Sequence, residues 1–358
     1  MTNELKTTRF FELDYLRGIA AISVVLFHYT YGYDNGLKIL ESGKFYFRYG
    51  NLGVQLFFII SGYVIFMTLN KIEKPTDFVI SRFSRLYPAY WFAILFSLFF
   101  VSVVDNPFQY HNVTFNRILI NLTMFQHWFR VKDIDGAYWT LYVELTFYII
   151  MLVLYIFKQL KNVELLSLFW LSLSCIFILF EIPYGKYVSE LLILKHSPLF
   201  IAGIILYRFK NIGDSLSRYI LLLFSLLTEL LIQYTVYKLI TPLIIIFSIY
   251  TFFLFLVKNK IKFNKSRILN FFGAISYSLY LIHENIGMAI IYNLRKILDH
   301  QIFYIPITLT IVIIFAYFMT YYIERPSMKL LKVFFQSSPK YSSTKFIEKP
   351  DFYEKTKS

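Results

Sequence analysis

Long apolar runs separated by short polar segments set the pattern of the chain. Ten runs approach the roughly 20 apolar residues that carry a helix across a bilayer core of about 30 Å. They cover 15–33, 51–69, 86–104, 138–157, 164–182, 189–207, 219–237, 240–257, 269–291 and 302–323. The pattern predicts an all-α fold, a polytopic transmembrane helix bundle of about ten spans. A shorter run, 117–129, carries Asn121 and His127 and reads as a re-entrant or interfacial segment. Residues 1–332 read as one transmembrane domain. The polar, Lys- and Ser-rich stretch 333–358 reads as a flexible cytoplasmic tail.

Composition sharpens this reading. The 358 residues are 57% apolar, 21% aromatic and only 16% charged, against about 25% charged in a soluble domain. That excludes a water-soluble globular enzyme and a disordered chain. The net charge of +14 does not point to nucleic acid, because the cations sit between apolar runs. With the N-terminus inside, 25 of the 36 Lys and Arg residues fall on the inner side and 11 on the outer. This asymmetry predicts both termini in the cytoplasm and a multi-pass protein of a bacterial cytoplasmic (inner) membrane. The single Cys175 allows no internal disulfide and no Cys-rich metal site, and no metal is expected. The polar first dozen residues predict no cleavable signal peptide.

Ionisable groups at membrane depth are costly and mark functional candidates. Arg17 and His28 lie eleven residues apart, close to three helical turns, so they share a face about 16 Å apart. Arg82 and Arg85 are i,i+3 neighbours ahead of Pro88, which reads as a helix start. Two adjacent guanidinium forks suit a phosphate ligand. Tyr138 and Trp139 fit an outer aromatic belt, and Glu144 follows about 10 Å into the span. No Lys or Arg lies within a turn of Glu144, so its partner must come from another helix. Ser276, Tyr277 and Tyr280 precede His283, which falls roughly 21 Å into its span. His28, Glu144 and His283 are therefore predicted to converge at similar depth. Gly53, Ser61 and Gly62 read as close helix-packing residues.

These residues form an ordered set: Arg17-x10-His28, Phe57-Phe58-x-x-Ser61-Gly62, Arg82-x-x-Arg85, Trp139-Thr140-Leu141-x-x-Glu144, Ser276-Tyr277-x-x-Tyr280-Leu281-x-His283 and Glu324-x-Pro326. The set resembles the acyltransferase-3 family of integral membrane acyltransferases, from about Phe11 to about Lys332. The resemblance implies transfer of an acyl group, most often acetyl, from cytoplasmic acyl-CoA to hydroxyls of extracytoplasmic glycans. It implies that His28 is the central catalytic residue and that the arginines serve acyl-CoA. It does not identify the acceptor, a glycan or lipid-linked saccharide.

The chemistry this implies is thioester-to-alcohol transfer. His28 is expected to take the alcohol proton as general base, with Glu144 orienting the imidazole. His283 or Tyr277 is expected to face the developing oxyanion. Transfer through acyl-His28 is the other open route. Arg82 and Arg85, with Arg17 as a weaker candidate, are expected to hold the phosphates of acetyl-CoA. Trp139, Tyr138 and Ser276 are expected to meet the acceptor. A transporter or exporter of polysaccharide or acyl groups is the competing reading, since buried His and Glu also suit a proton relay.

Overall fold

The computed structural model describes residues 10–32, 46–105, 113–180, 182, 185–298 and 300–336. Among them every regular element is helical. In chain order these are α1 Glu12–Phe27, α2 Gly53–Leu69, α3 Pro75–Val103, α4 Phe115–Leu122, α5 Trp139–Ile156, α6 Val163–Leu179, α7 Gly185–Leu191, α8 Ser197–Asn211, α9 Leu216–Tyr237, α10 Ile240–Val257, α11 Arg267–Leu294, α12 Gln301–Met319 and α13 Arg325–Gln336.

Among the described residues, seven stretches are long and apolar enough to cross a membrane: Gly50–Leu69, Pro75–Val103, Gly136–Ile156, Gln159–Leu179, Leu216–Tyr237, Ile240–Val257 and Phe303–Phe335. The protein is a multi-pass membrane helix bundle. Three of the ten expected runs do not meet that measure. α1 has only 16 residues and carries Glu12, Asp14 and Arg17, and a π turn, His28–Gly32, follows it. α8 has only 15 residues, because the run expected at 189–207 is divided between α7 and α8. α11 is 28 residues long but carries polar groups throughout. The short run 117–129 is the eight-residue α4, capped by Thr114 Oγ1 accepting from Arg117 N, followed by turns. Residues 333–336 of the expected tail are helical, and 337–358 lie outside the described residues.

Pro88 corrects the expected start of the third span. It lies inside α3, which begins two turns before Arg82 with Pro75 in its first turn. Arg82 and Arg85 therefore sit within a membrane-crossing helix rather than ahead of it.

Two pairs of glycines bring helices into backbone contact. A Cβ on Gly18 of α1 would lie 2.8 Å from Gly273 N of α11, and one on Gly273 would lie 2.4 Å from Asp14 O. A Cβ on Gly62 of α2 would lie 2.1 Å from Phe200 O of α8, and one on Gly203 would lie 2.1 Å from Ile59 O. No larger residue fits these crossings, which is how small residues build interfaces in lipid. α1 and α11 run parallel: Tyr15 Oη accepts from Ser266 N at 2.8 Å, and Tyr29 Oη donates to His283 O at 2.8 Å. α3 and α12 flank α11, while α2 and α8 lead from α1 to α9 and α10.

Ion pairs gather at the two ends of the bundle. At the end where α1 begins, Glu164 Oε1 meets Arg208 Nε at 2.8 Å and Arg218 Nε at 2.7 Å. At the opposite end Arg130 pairs with Glu190 at 2.8 Å and His127 with Asp133 at 2.9 Å.

Candidate active site

The centre of the site is a pair of imidazoles from α1 and α11. His28 opens the π turn, a feature that recurs at functional sites because it interrupts regular packing. Its Nδ1 lies 2.9 Å from Val24 O and 3.1 Å from His283 Nε2. His283 Nδ1 lies 2.8 Å from Tyr280 O. A carbonyl only accepts, so in the neutral pair His283 carries its proton on Nδ1 and presents an Nε2 lone pair. His28 must then donate from Nδ1, sharing that proton between Val24 O and His283. This leaves the His28 Nε2 lone pair unprotonated, facing Glu284 Oε2 at 3.6 Å. His283 is fully buried. The side chains of His28 and Glu284 keep 19% and 18% of their surface exposed, while Glu284 Oε2 itself is buried and has no hydrogen-bond partner among the described residues.

A segment ahead of α5 clamps this part of α11. Asp135 Oδ1 accepts from Ala137 N at 3.0 Å, and Asp135 Oδ2 accepts from Asn285 N at 3.1 Å. Asn285 Nδ2 donates to Ile134 O at 3.0 Å, and Tyr138 Oη donates to Leu281 O at 3.1 Å. Thr140 Oγ1 and Tyr280 Oη are 2.9 Å apart. Gly136 lies directly against Glu284, where a Cβ would come within 2.4 Å of Oε1. Burial, reinforced by the charge of Glu284, pushes the Asp135 carboxyl well above the usual range.

The expected residues divide into two groups. His28 and His283 meet. Glu144 does not join them: its Oε1 accepts from Ser61 Oγ at 2.7 Å and from Tyr148 Oη at 2.5 Å. Glu144 lies instead within electrostatic reach of Arg17, Arg82 and Arg85. The carboxylate beside the His28 imidazole is Glu284. Tyr277 also belongs to the arginine group, since its Oη donates to Leu86 O at 2.9 Å and it neighbours Arg85. It is not placed to face an oxyanion at His28. Glu324 stands on a second π turn, Thr320–Glu324, accepts from Ser278 Oγ at 2.9 Å and neighbours Arg85 and Arg17.

The arginines form a polar layer where three helices meet. Arg17 pairs with Asp14 at 3.6 Å. The Arg82 guanidinium lies over the Phe78 and Tyr148 rings at 5.7 and 5.9 Å. Arg82 Nε is buried and has no hydrogen-bond partner among the described residues. An unpartnered buried donor is costly, and it is what an anionic ligand would satisfy.

The residues expected to meet an acceptor are less open. Tyr138 is fully buried, edge-on to Tyr90 with centroids 5.0 Å apart, so it cannot present a face to a sugar. Ser276 Oγ donates to Gly273 O of its own helix at 2.9 Å. Trp139 is half-buried against His196 and Phe58.

Residues 10–323 match the sequence profile of an acyltransferase domain, Acyl_transf_3. The chain belongs to the acyltransferase-3 family. Three curated relatives are similar to it. OatA of Listeria monocytogenes, a peptidoglycan O-acetyltransferase, is 27% identical over 173 residues, 43% of this chain and 26% of OatA. YrhL of Bacillus subtilis, provisionally named a peptidoglycan O-acetyltransferase, is 30% identical over 155 residues, 38% of this chain and 22% of YrhL. ORF330 of Acidianus two-tailed virus, provisionally named an acetyltransferase, is 26% identical over 288 residues, 75% of this chain and 80% of ORF330. The matched region spans about a quarter of the length of OatA and of YrhL. No solved structure matches the chain.

Glu284 was the site residue least visible in the sequence. It follows His283 directly, and successive residues of a helix point about 100° apart. Only the approach of His28 from α1 shows that both face one centre.

Proposed function

We propose that this protein is a membrane O-acyltransferase of the bacterial cytoplasmic membrane, moving an acetyl group from cytoplasmic acyl-CoA to a hydroxyl of an extracytoplasmic or lipid-linked glycan. The observation that carries this reading is the His28 Nε2 lone pair, left unprotonated because Nδ1 is held between Val24 O and His283 Nε2, on a side chain that keeps 19% of its surface exposed.

The arginine layer of Arg17, Arg82 and Arg85 holds the phosphates of acyl-CoA, with both chain termini on the same, cytoplasmic side. The pantetheine arm runs along the bundle toward His28, about 16 Å from Arg17 along α1. The acceptor approaches from the end where α5 begins.

His28 Nε2 takes the hydroxyl proton as the alcohol oxygen attacks the thioester carbonyl carbon. The C–O bond forms, the C–S bond breaks, and the imidazolium returns the proton to the leaving thiolate to give free CoA. General-base assistance of this kind contributes roughly 10²–10⁴-fold. The Glu284 carboxyl, 3.6 Å from Nε2, is placed to stabilise the imidazolium.

Purified protein in lipid nanodiscs, given labelled acetyl-CoA and a glycan fraction, is expected to release CoA and label the glycan. His28→Ala is expected to insert normally and do neither. Glycan movement across the bilayer with no acetyl-CoA consumed would instead support an exporter.

A further inference from the structure

α13 begins where the helix before it has used up the bilayer. The apolar stretch Phe303–Phe335 holds 33 residues, about 50 Å of helix, against a hydrocarbon core of about 30 Å. Measured from Phe303, that thickness is spent at about Tyr322. The side chains mark the same boundary. Ile314, Phe318 and Tyr322 form an exposed stripe at four-residue spacing, and Tyr321 and Tyr322 are of the aromatic type that settles at headgroup level. The π turn Thr320–Glu324 then places Glu324 beside Arg85 and Arg17, toward the end of the bundle where α1 begins.

Three faces run along α13. At about 100° per residue, Met328, Leu331 and Phe335 fall together. They are half-buried, and α13 packs on α3. Leu330, Val333 and Phe334 fall on a second face and keep 70%, 62% and 72% of their surface exposed. Arg325, Lys329 and Lys332 lie within about 60° of one another, on the flank between these two faces. α13 contains no acidic residue. Arg325 lies over the Tyr321 ring at 4.1 Å, and Lys329 and Lys332 make no ion pair among the described residues. An exposed apolar strip bordered by cations is the pattern of a helix seated in the headgroup region.

From this juxtaposition we infer that α13 is a docking surface for acidic phospholipids. Leu330, Val333 and Phe334 enter the upper acyl chains, and Arg325, Lys329 and Lys332 meet the lipid phosphates, which supply the absent negative charge. A soluble phosphate anion would satisfy the cations but leave the apolar strip in water, so the occupant is lipid. The inference is separate from the acyl-transfer reading and stands or falls without it.

The test uses the full chain in nanodiscs made from an equimolar mixture of phosphatidylglycerol and phosphatidylcholine. Native mass spectrometry of the released protein is expected to show phosphatidylglycerol retained in preference to phosphatidylcholine. Lys329→Gln with Lys332→Gln is expected to retain about tenfold less phosphatidylglycerol. A second measurement locates the helix. Cys175 is the single cysteine, so a nitroxide can be placed at Phe334→Cys or Lys329→Cys in a Cys175→Ser background. The label at position 334 is expected to be relaxed more by oxygen than by a water-soluble nickel chelate, and the label at 329 the reverse. Equal retention of the two lipids, or retention unchanged by the paired Lys substitution, overturns the inference. So does a label at 334 that is open to the chelate, which would place the strip in water. Release of the retained lipid by free CoA would give the cations to a soluble phosphate anion and also overturn it.

Discussion

His28 Nδ1 and His283 Nε2 lie 3.1 Å apart although their residues are 255 positions apart in the chain. The contact gives each ring a defined protonation pattern and so assigns the reactive nitrogen. His283→Gln keeps an amide at the position but removes the imidazole that fixes the tautomer. A kcat lower by roughly a hundredfold, with little change in KM for acyl-CoA, is expected from steady-state kinetics.

Arg82 and Arg85 make a different prediction. Replacing both by Ala removes charge from the layer shared with Arg17, Glu144 and Glu324. The KM for acyl-CoA is expected to rise about tenfold or more, with a smaller change in kcat. An unchanged KM with a reduced kcat would assign the pair to the scaffold instead.

Gly136→Ala places a methyl group 2.4 Å from Glu284 Oε1. The carboxylate is the mobile end of a side chain, so the protein is expected to fold and Glu284 to swing aside. Loss of the imidazolium partner should lower kcat about three- to tenfold and leave acyl-CoA affinity unchanged. Thermal unfolding separates this outcome from a general loss of structure.

His127 provides a pH test outside the membrane spans. Its hydrogen bond to Asp133, together with that carboxylate's charge, raises the imidazole above its ordinary value. A raised folded-state value means that the pairing stabilises the loop fully below the unfolded imidazole range of about 6.5. That contribution fades as pH rises through the folded value. The His127 midpoint, followed by NMR, is expected above the ordinary histidine range and to fall on Asp133→Asn.

Much of this architecture was legible in the sequence for physical reasons. Apolar runs of membrane length gave the helical class. Gly62 was legible as a packing residue and packs on Phe200. Helix ends were less legible, because Pro88 is tolerated inside α3 and the π turns at His28 and Thr320 leave no compositional mark. Partner assignment was least legible. Similar depth suggested Glu144 for His28, but depth leaves azimuth undetermined. α5 turns Glu144 toward Ser61 and the arginines, while the adjacent loop holds Glu284 against the imidazole.

The glycine contact between α1 and α11 has a metric consequence. Gly18 and His28 are ten residues apart, as are Gly273 and His283. Two parallel helices touching at the first pair thus arrive at the second after equal travel, about 15 Å on each. The backbone crossing acts as the zero mark of a ruler that brings the rings level. A one-residue insertion between Gly18 and His28 would turn the ring by about 100° and carry it 1.5 Å along the axis, out of step with its counterpart while every side chain of the pair is still present.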